Sequence, residues 1–233
     1  MPEPSAARAR WPRHGLYAIT DGPRADLCEV ARAALEGGAA VLQYRDKTRD
    51  PDRRLREARA LVKLCRPYGV PLIVNDDVEL ARAAEASGVH LGEDDRGIAE
   101  ARSVLGSAAI VGVSCYDSLE RARSAAAAGA DYLAFGAFFP TRSKTVSRYA
   151  TPERLREAGQ FGLPRVAIGG ITADNGGSLI AAGADFLAAI SGVFGASDVR
   201  AQARRFAMLF DTDRGAQPGQ VQLSSAPSSP KKP

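Results

Sequence analysis

The chain contains few of the residues that build disulfide scaffolds and metal cages. Its 233 residues include three cysteines and two histidines. Cys28, Cys65 and Cys115 lie far apart, and no C-x-x-C pair or Cys/His cluster is present. This pattern argues against a disulfide framework and against a structural zinc site. We therefore expect the protein in a reducing, cytoplasmic compartment.

A long hydrophobic run is also missing. The most apolar stretch, Leu179–Ala196, contains Asp185 and three glycines, which fits a buried strand with its turns better than a membrane-crossing helix. The formal net charge is +4, and the positive excess lies mainly near the two ends of the chain. No basic stripe with interleaved aromatic residues is present, so neither a nucleic acid nor a membrane is expected as a partner.

Composition divides the chain into three parts. Residues 1–13 carry arginines without apolar periodicity and predict a flexible arm. Residues 212–233 are rich in Ser, Pro, Gln and Gly, which predicts a disordered tail. Residues 14–211 predict a single compact domain of the α/β class. The pattern leaves the oligomeric state open.

Within this domain, short apolar runs alternate with segments of helical spacing. Eight runs predict strands: Leu16–Thr20, Ala40–Tyr44, Leu72–Asn75, Val89–Leu91, Ile110–Ser114, Tyr132–Phe135, Val166–Ile168 and Phe186–Ile190. Helical spacing is clear in Leu27–Leu35, Leu55–Cys65, Val78–Ala86, Leu119–Ala128 and Leu179–Ala182. Strands that alternate with helices indicate parallel βαβ units. Eight such units favour a closed (β/α)8 TIM-type barrel over an open sheet.

Four junctions between a helix and the next strand share one design. Small residues lead to Gly38, Gly88, Gly129 and Gly183, and an apolar run follows each glycine. Glycine suits the left-handed conformation just after the last helical turn. Each junction therefore predicts the end of a helix.

Polar residues follow every predicted strand, at the edge where TIM-barrel enzymes carry their chemistry. Three cations, Arg45, Lys47 and Lys144, share this rim with Asp76 and Asp95, which follow adjacent strands. Carboxylates that leave room for water and phosphate oxygens suit Mg²⁺. Mg²⁺ flanked by cations neutralises a departing diphosphate. The rim therefore predicts a site for a diphosphate with Mg²⁺.

A second phosphate site is predicted where Gly169–Gly170 follows the seventh strand and Ile190–Gly192 follows the eighth. Loops at these two places often bind phosphate through backbone N–H groups. Glycine lets the backbone approach the phosphate closely. The mouth of the barrel thus suits two ligands, one diphosphate and one monophosphate.

Three further polar residues are expected to have structural roles. Asp77 directly precedes a helical segment and predicts an N-cap. His90 lies inside a predicted strand and is expected to pack, hydrogen-bonded, in or beside the core. Cys115 shows no sign of an activated thiolate and is expected to be a small buried residue.

Taken in order, these motifs resemble the thiamine phosphate synthase family. The resemblance runs from about Leu16 to Phe210. It is carried by Tyr17–Asp21, Gln43–Lys47, Ile73–Asp76, Gly88–Gly92 with Asp95, Gly112–Ser114, Gly136 with Pro140–Lys144, Ala167–Thr172 and Ile190–Ser191. The family is a (β/α)8 barrel. Its members are transferases that join hydroxymethylpyrimidine diphosphate to a thiazole phosphate, giving thiamine phosphate and pyrophosphate.

The resemblance implies three groups of site residues. The pyrimidine diphosphate would be bound by Gln43, Tyr44, Arg45, Asp46, Lys47, Asn75, Ser114 and Lys144, and catalytic roles would fall to Lys144 and Ser114. The thiazole phosphate would be bound by Thr141, Arg142, Ser143, Gly170, Ile190 and Ser191. The metal Mg²⁺ would be held by Asp76 and Asp95.

The implied mechanism is dissociative, with pyrophosphate leaving before the thiazole nitrogen attacks. Two alternatives stay open. One is a thiazole tautomerase of the same superfamily, which needs neither diphosphate nor Mg²⁺. The other is a non-catalytic barrel that binds a thiamine precursor and acts as a regulator.

Overall fold

Eight parallel strands form a closed barrel in the computed structural model, which describes residues 11–92, 97–141 and 149–211. The strands pair in chain order, and β8 pairs with β1 to close the barrel. They are β1 Gly15–Ile19, β2 Ala39–Tyr44, β3 Leu72–Asn75, β4 Gly88–Leu91, β5 Ile110–Tyr116, β6 Tyr132–Phe135, β7 Arg165–Ile168 and β8 Phe186–Ala189. The predicted (β/α)8 barrel is confirmed, and its eight strands lie within about two residues of their predicted bounds.

Helices surround the barrel and connect its strands. They are α1 Leu27–Glu36, α2 Pro51–Cys65, α3 Val78–Ala83, α4 Ile98–Leu105, α5 Leu119–Ala127, α6 Pro152–Ala158, α7 Gly177–Ala181, α8 Ser191–Phe194 and α9 Val199–Asp211. The five segments with clear helical spacing correspond to α1, α2, α3, α5 and α7. The last helix returns to α1 and buries Ala203 and Phe206 completely.

Three of the four glycine junctions have the predicted conformation. The φ angles are +97° at Gly38, +87° at Gly129 and +97° at Gly183, and each glycine follows the end of a helix. Gly88 differs because it is the first residue of β4. A Cβ there would lie 1.9 Å from the carbonyl oxygen of Ile110. Close packing of β4 on β5, rather than a left-handed turn, therefore requires this glycine.

Alternation of side chains along the strands gives the core two layers. One layer lies between the strands and the helices and includes Leu16, Leu42, Val89 and Leu133. The other fills the barrel interior with Tyr17, Ile19, Val41, Ile73, Ile110, Tyr132, Ala134, Val166, Phe186 and Ala188. Because both faces of each parallel strand are buried, the strands appear in the sequence as continuous apolar runs.

Trp11 packs against the interior layer from the side where the strands begin. Its ring stacks on Tyr132 with centroids 4.3 Å apart and lies 4.9 Å from the ring of Phe186. At this position the structure differs from the flexible arm predicted for residues 1–13, because the indole buries apolar surface against two interior rings. Residues 1–10 and 212–233 lie outside the described residues. The flexible arm over residues 1–10 and the disordered tail therefore stay predictions.

Candidate active site

The last two residues of β2, Gln43 and Tyr44, point to opposite faces of the strand. Gln43 points into the barrel, where its Nε2 donates a hydrogen bond of 2.8 Å to the hydroxyl of Tyr17. Tyr44 lies in the outer layer, and its hydroxyl donates a 2.6 Å bond to Glu57 of α2. Burial and the neighbouring Glu57 carboxylate raise the pKa of Tyr44. The structure therefore does not bring the Tyr44 side chain to the mouth with the other predicted residues.

Asp46 anchors this loop from within. Its side chain is completely buried, with Oδ2 2.7 Å from the Arg53 guanidinium and Oδ1 accepting a 2.7 Å bond from the Thr48 N–H. Burial by itself raises the pKa of Asp46, but Arg53 and the Thr48 N–H outweigh it and hold that pKa below its ordinary value. Asp46 thus joins the loop to Arg53 at the start of α2. The neighbouring Arg45 is half-buried and Lys47 is exposed.

Thr20, directly after β1, fixes the backbone of the first cation. Its buried hydroxyl accepts a 2.9 Å bond from the Arg45 N–H and donates a 3.2 Å bond to the Arg45 carbonyl oxygen. The sequence patterns did not single out this residue as part of the site. The available signal was its position at the carboxyl end of the first strand.

Asn75, Asp76 and Asp77 form the turn from β3 to α3. Asp76 is exposed and has a φ of +65°, a conformation that a residue with a side chain adopts at a cost. Its N–H donates a 2.8 Å bond to the carbonyl oxygen of His90, which links the ends of β3 and β4. Asp77 caps α3 by accepting a 2.9 Å bond from the Leu80 N–H, which confirms its predicted role.

The metal prediction depends on Asp76 and on Asp95, and Asp95 lies outside the described residues. The exposed Asp76 carboxylate supplies the oxygen chemistry that Mg²⁺ prefers. In the part of the chain that the structure describes, no group of three or more His, Cys, Asp or Glu side chains is placed to hold a metal. Mg²⁺ is commonly held by one or two carboxylates together with water and substrate phosphates, so this donor set fits it.

Ser114 lies near the end of β5 and is half-buried. Its Oγ is 2.9 Å from Nε2 of His90 on the neighbouring strand. Nδ1 of the same imidazole is 2.9 Å from the hydroxyl of Tyr132. His90 is therefore buried and hydrogen-bonded in the barrel, as predicted, and it contacts a residue of the predicted substrate site.

Loops after β6 and β7 converge at the predicted monophosphate site. Gly170 has a φ of +65°, and a Cβ on it would lie 2.4 Å from the carbonyl oxygen of Pro140. Glycine is thus required for Pro140 and the following Thr141 to pass over the β7 loop. Arg142, Ser143 and Lys144, predicted to continue this segment, lie outside the described residues.

The loops after β7 and β8 are also in direct contact. A Cβ on Gly192 would lie 2.4 Å from the carbonyl oxygen of Ile171. Asn175 braces the β7 loop, accepting a 2.9 Å bond from the Thr172 N–H and donating a 3.1 Å bond to the Gly170 carbonyl oxygen. Ile190 is half-buried and Ser191 is exposed at the first position of α8. Three of the predicted monophosphate contacts, Gly170, Ile190 and Ser191, therefore lie on adjoining loops.

The two buried cysteines offer no nucleophile. Cys65 and Cys115 are buried, and burial raises the pKa of each thiol to about 12. Thiolate is the reactive form, so both thiols are unreactive near neutral pH. The prediction that Cys115 is a small buried residue is confirmed.

The closed barrel, with polar side chains where its strands end, defines a (β/α)8-barrel enzyme. A profile of the thiamine monophosphate synthase family matches residues 16–193. The chain belongs to this family, and it is accordingly a transferase of thiamine biosynthesis. None of the described helices is both long and apolar enough to cross a bilayer.

Named relatives support this assignment. The thiamine-phosphate synthase of Xanthomonas campestris pv. campestris strain 8004 is 57% identical over 186 residues, 79% of this chain and 89% of that protein. The thiamine-phosphate synthase of Methylococcus capsulatus is 51% identical over 211 residues, 89% and 94% of the two chains. Among solved structures, a thiamine phosphate pyrophosphorylase from Pyrococcus furiosus has a TM-score of 0.77 and 37% identity, covering 86% of this chain and 96% of that one.

Proposed function

We propose that this enzyme condenses 4-amino-5-hydroxymethyl-2-methylpyrimidine diphosphate with hydroxyethylthiazole phosphate by a dissociative, Mg²⁺-assisted reaction. The C–O bond between the exocyclic methylene and the diphosphate breaks first, and the electron-rich aminopyrimidine stabilises the resulting cation. The thiazole nitrogen then forms the new C–N bond. The products are thiamine phosphate and pyrophosphate.

The observation that carries this proposal is the anchored loop after β2. The buried side chains of Asp46 and Thr20 fix its backbone from two sides. The backbone that carries Arg45 and Lys47 is thereby held at the end of β2, and β2 pairs with β3, which leads into the turn that carries Asp76. Preorganised cations act where negative charge grows as a diphosphate leaves, because they need no reorganisation at that moment.

Mg²⁺ would be bound by Asp76 with Asp95, and it would supply charge to neutralise the leaving diphosphate. Ser114 and Gln43 would contact the pyrimidine ring from the barrel interior. The adjoining loops with Thr141, Gly170 and Ser191 would hold the thiazole phosphate, which fixes its nitrogen for attack. Lys144 would add positive charge next to the diphosphate. Lys144 and Ser114 are the two proposed catalytic residues. Small molecules are thus the proposed partners.

The experiment is direct. The purified full-length protein is mixed with both substrates and Mg²⁺, and pyrophosphate release is followed with time. Release that requires all three components supports the proposal. A protein that only isomerises a thiazole carboxylate phosphate would release none, which would favour the tautomerase alternative, and binding without turnover would favour the regulator.

The metal role is tested with Asp76→Asn, which keeps the side-chain volume and removes the charge. Turnover should fall and the Mg²⁺ concentration for half-maximal rate should rise by about tenfold or more, equivalent to about 1.4 kcal/mol. Glu157→Gln is the matched control, because Glu157 is an exposed partner of Arg154 on α6. An Asp76→Asn enzyme with wild-type Mg²⁺ dependence would remove Asp76 from the metal site.

A further inference from the structure

Five side chains form one continuous hydrogen-bonded chain across the barrel interior. Nε2 of Gln43 donates to the hydroxyl of Tyr17, which lies 2.8 Å from the hydroxyl of Tyr132. The Tyr132 hydroxyl lies 2.9 Å from Nδ1 of His90, and Nε2 of His90 lies 2.9 Å from Oγ of Ser114. We name these five residues the interior chain. Its two ends, Gln43 and Ser114, are the residues proposed to contact the pyrimidine.

The middle of the interior chain is closed to water. Tyr17 and Tyr132 are 1% and 0% exposed, and Trp11 stacks directly on the Tyr132 ring. Burial raises the pKa of both phenols, so each keeps its proton at neutral pH. Each hydroxyl therefore has one hydrogen to donate, and inside the barrel that hydrogen needs a protein acceptor.

With the Gln43 amide nitrogen facing Tyr17, this requirement fixes the direction of every bond. Tyr17 accepts from Gln43, so its own hydrogen goes to Tyr132, the other partner of its hydroxyl among the described residues. The Tyr132 hydrogen then goes to Nδ1 of His90. A neutral imidazole that accepts at Nδ1 carries its hydrogen on Nε2. His90 therefore donates to Oγ of Ser114, and the Ser114 hydroxyl keeps its own hydrogen for another acceptor.

The opposite direction leaves a buried hydrogen without an acceptor. If Nδ1 of His90 donated to Tyr132, Tyr132 would donate to Tyr17, and the Tyr17 hydroxyl would then accept twice. Its own hydrogen would face the donating amide of Gln43. A doubly protonated imidazole leads to the same conflict. Only a reversal of the Gln43 amide would give this hydrogen an acceptor. All the hydrogen bonds of the interior chain must therefore reverse together, and none can reverse alone.

We propose that the interior chain presents Ser114 to the pyrimidine as a hydrogen-bond donor and Gln43 as an acceptor, with Tyr17, Tyr132 and His90 as positioning residues. The inference rests on the proposed function for the identity of the ligand. A 4-aminopyrimidine offers an amino donor beside a ring-nitrogen acceptor, which complements this pair. A 4-oxopyrimidine offers the reverse pattern, and its oxo oxygen would face the acceptor oxygen of Gln43.

The first test reads the tautomer and needs no substrate. Nitrogen-15 NMR of the full-length protein, labelled at histidine, contains signals from His14 and His90 alone, and a His14→Gln variant assigns them. We expect His90 to be neutral, with the proton on Nε2 and an unprotonated Nδ1. A proton on Nδ1, or on both nitrogens at pH 7, would overturn the proposed direction.

The second test measures selectivity. The probes are the monophosphates of 4-amino- and 4-oxo-5-hydroxymethyl-2-methylpyrimidine, which keep the ring edge and lack the leaving diphosphate. Calorimetry should show that the wild type favours the amino probe by about tenfold or more, the effect of one or two hydrogen bonds. Tyr132→Phe removes the hydroxyl that joins His90 to Tyr17 and should reduce this ratio to within about threefold.

The control is Ile73→Val, a small packing change in the same interior layer that touches no hydrogen bond of the chain. Ile73→Val should keep the wild-type ratio of affinities for the two probes. Its melting temperature should be close to that of Tyr132→Phe, as checked by thermal unfolding. A Tyr132→Phe protein with unchanged selectivity would refute the inference even if the enzyme turns over normally. If the wild type binds neither probe and releases no pyrophosphate, the proposed function fails. The His90 tautomer still decides the direction of the hydrogen bonds in the interior chain.

Discussion

Gly112→Ala should disrupt the barrel interior, although it adds a single methyl group. Gly112 lies on β5 beside the Tyr132 ring of β6. A Cβ on Gly112 would lie 1.9 Å from Cζ, 2.2 Å from Cε1 and 2.4 Å from Cε2 of Tyr132. Carbon atoms in contact are normally separated by roughly 3.5–4.0 Å. The ring would therefore have to move by well over an ångström.

Burial, hydrogen bonding and ring stacking all oppose that movement of the Tyr132 ring. Tyr132 is fully buried, its hydroxyl is bonded to Tyr17 and His90, and Trp11 stacks on its face. Overpacking in a core costs about 1–3 kcal/mol, and each lost hydrogen bond costs about 1 kcal/mol more. We expect the free energy of unfolding to fall by about 3–5 kcal/mol, which lowers the melting temperature by about 10 °C in a domain of this size.

Thermal and urea unfolding measure the change, and two variants make the reasoning specific. In a Tyr132→Val background the same Gly112→Ala substitution should cost less than about 1 kcal/mol, because the clash has gone. Gly177→Ala is the control, since it begins α7 and no described atom apart from its chain neighbours and its own helix backbone lies within 4 Å of its Cβ position. A Gly112→Ala protein that melts within about 2 °C of the wild type would contradict this account.

Three other substitutions test the frame of the site. Thr20→Val should lower the free energy of unfolding by about 1–2 kcal/mol and raise the KM for the pyrimidine diphosphate but not for the thiazole phosphate. Thr20→Ser should restore both values, as measured by urea unfolding and steady-state kinetics. Asp77→Ala should lower stability by about 1 kcal/mol through the lost α3 cap, and Asp77→Asn by less; wild-type melting of Asp77→Ala would exclude a capping role. Asp46→Asn should destabilise the protein near neutral pH and much less in acid, as measured by unfolding across the pH range.

The strands of this barrel could be predicted because each is buried on both faces. A run such as Leu72–Asn75 needs no partner information to be recognised, since apolar residues fill both the interior and the outer layer. Local chemistry was equally informative at Asp77 and at Gly38, Gly129 and Gly183. At these positions a cap or a positive φ depends on neighbours a few residues away.

Contacts between distant parts of the chain could not be predicted in this way. Tyr17 and Tyr132 are 115 residues apart, and nothing in either strand indicates that their hydroxyls meet. Trp11 gave no periodic signal because it packs alone, before β1. Tyr44 is a different case: once Gln43 is assigned to the interior, alternation along β2 places Tyr44 in the outer layer.

The pH dependence of Asp46→Asn follows from the pair that Asp46 forms with Arg53. The folded pKa of Asp46 is lowered, whereas the unfolded value is about 3.9. The ionised form therefore stabilises the fold fully above the unfolded pKa, and this contribution is lost as the pH falls through the folded pKa. Asn keeps the volume but removes the charge that faces Arg53, which keeps Glu57 and Asp50 as partners, and we expect a loss of about 1–3 kcal/mol at pH 7.

The control for this prediction is Asp50→Asn in the same loop. Asp50 is exposed and caps α2 by accepting from the Arg53 N–H, a role that Asn performs equally well. Its Oδ2 also lies 3.6 Å from the Arg53 guanidinium, but a pair with such an exposed carboxylate contributes little to stability. The stability difference between wild type and Asp46→Asn should be greatest between about pH 6 and 7 and should shrink below about pH 4, whereas Asp50→Asn should differ little at any pH. A difference for Asp46→Asn that is constant from about pH 3 to 7 would mean that Asp46 acts through packing.

In the expected case, the charge of Asp46 holds the backbone of Arg45 and Lys47 in place. The KM for the pyrimidine diphosphate should then rise in Asp46→Asn and stay constant in Asp50→Asn.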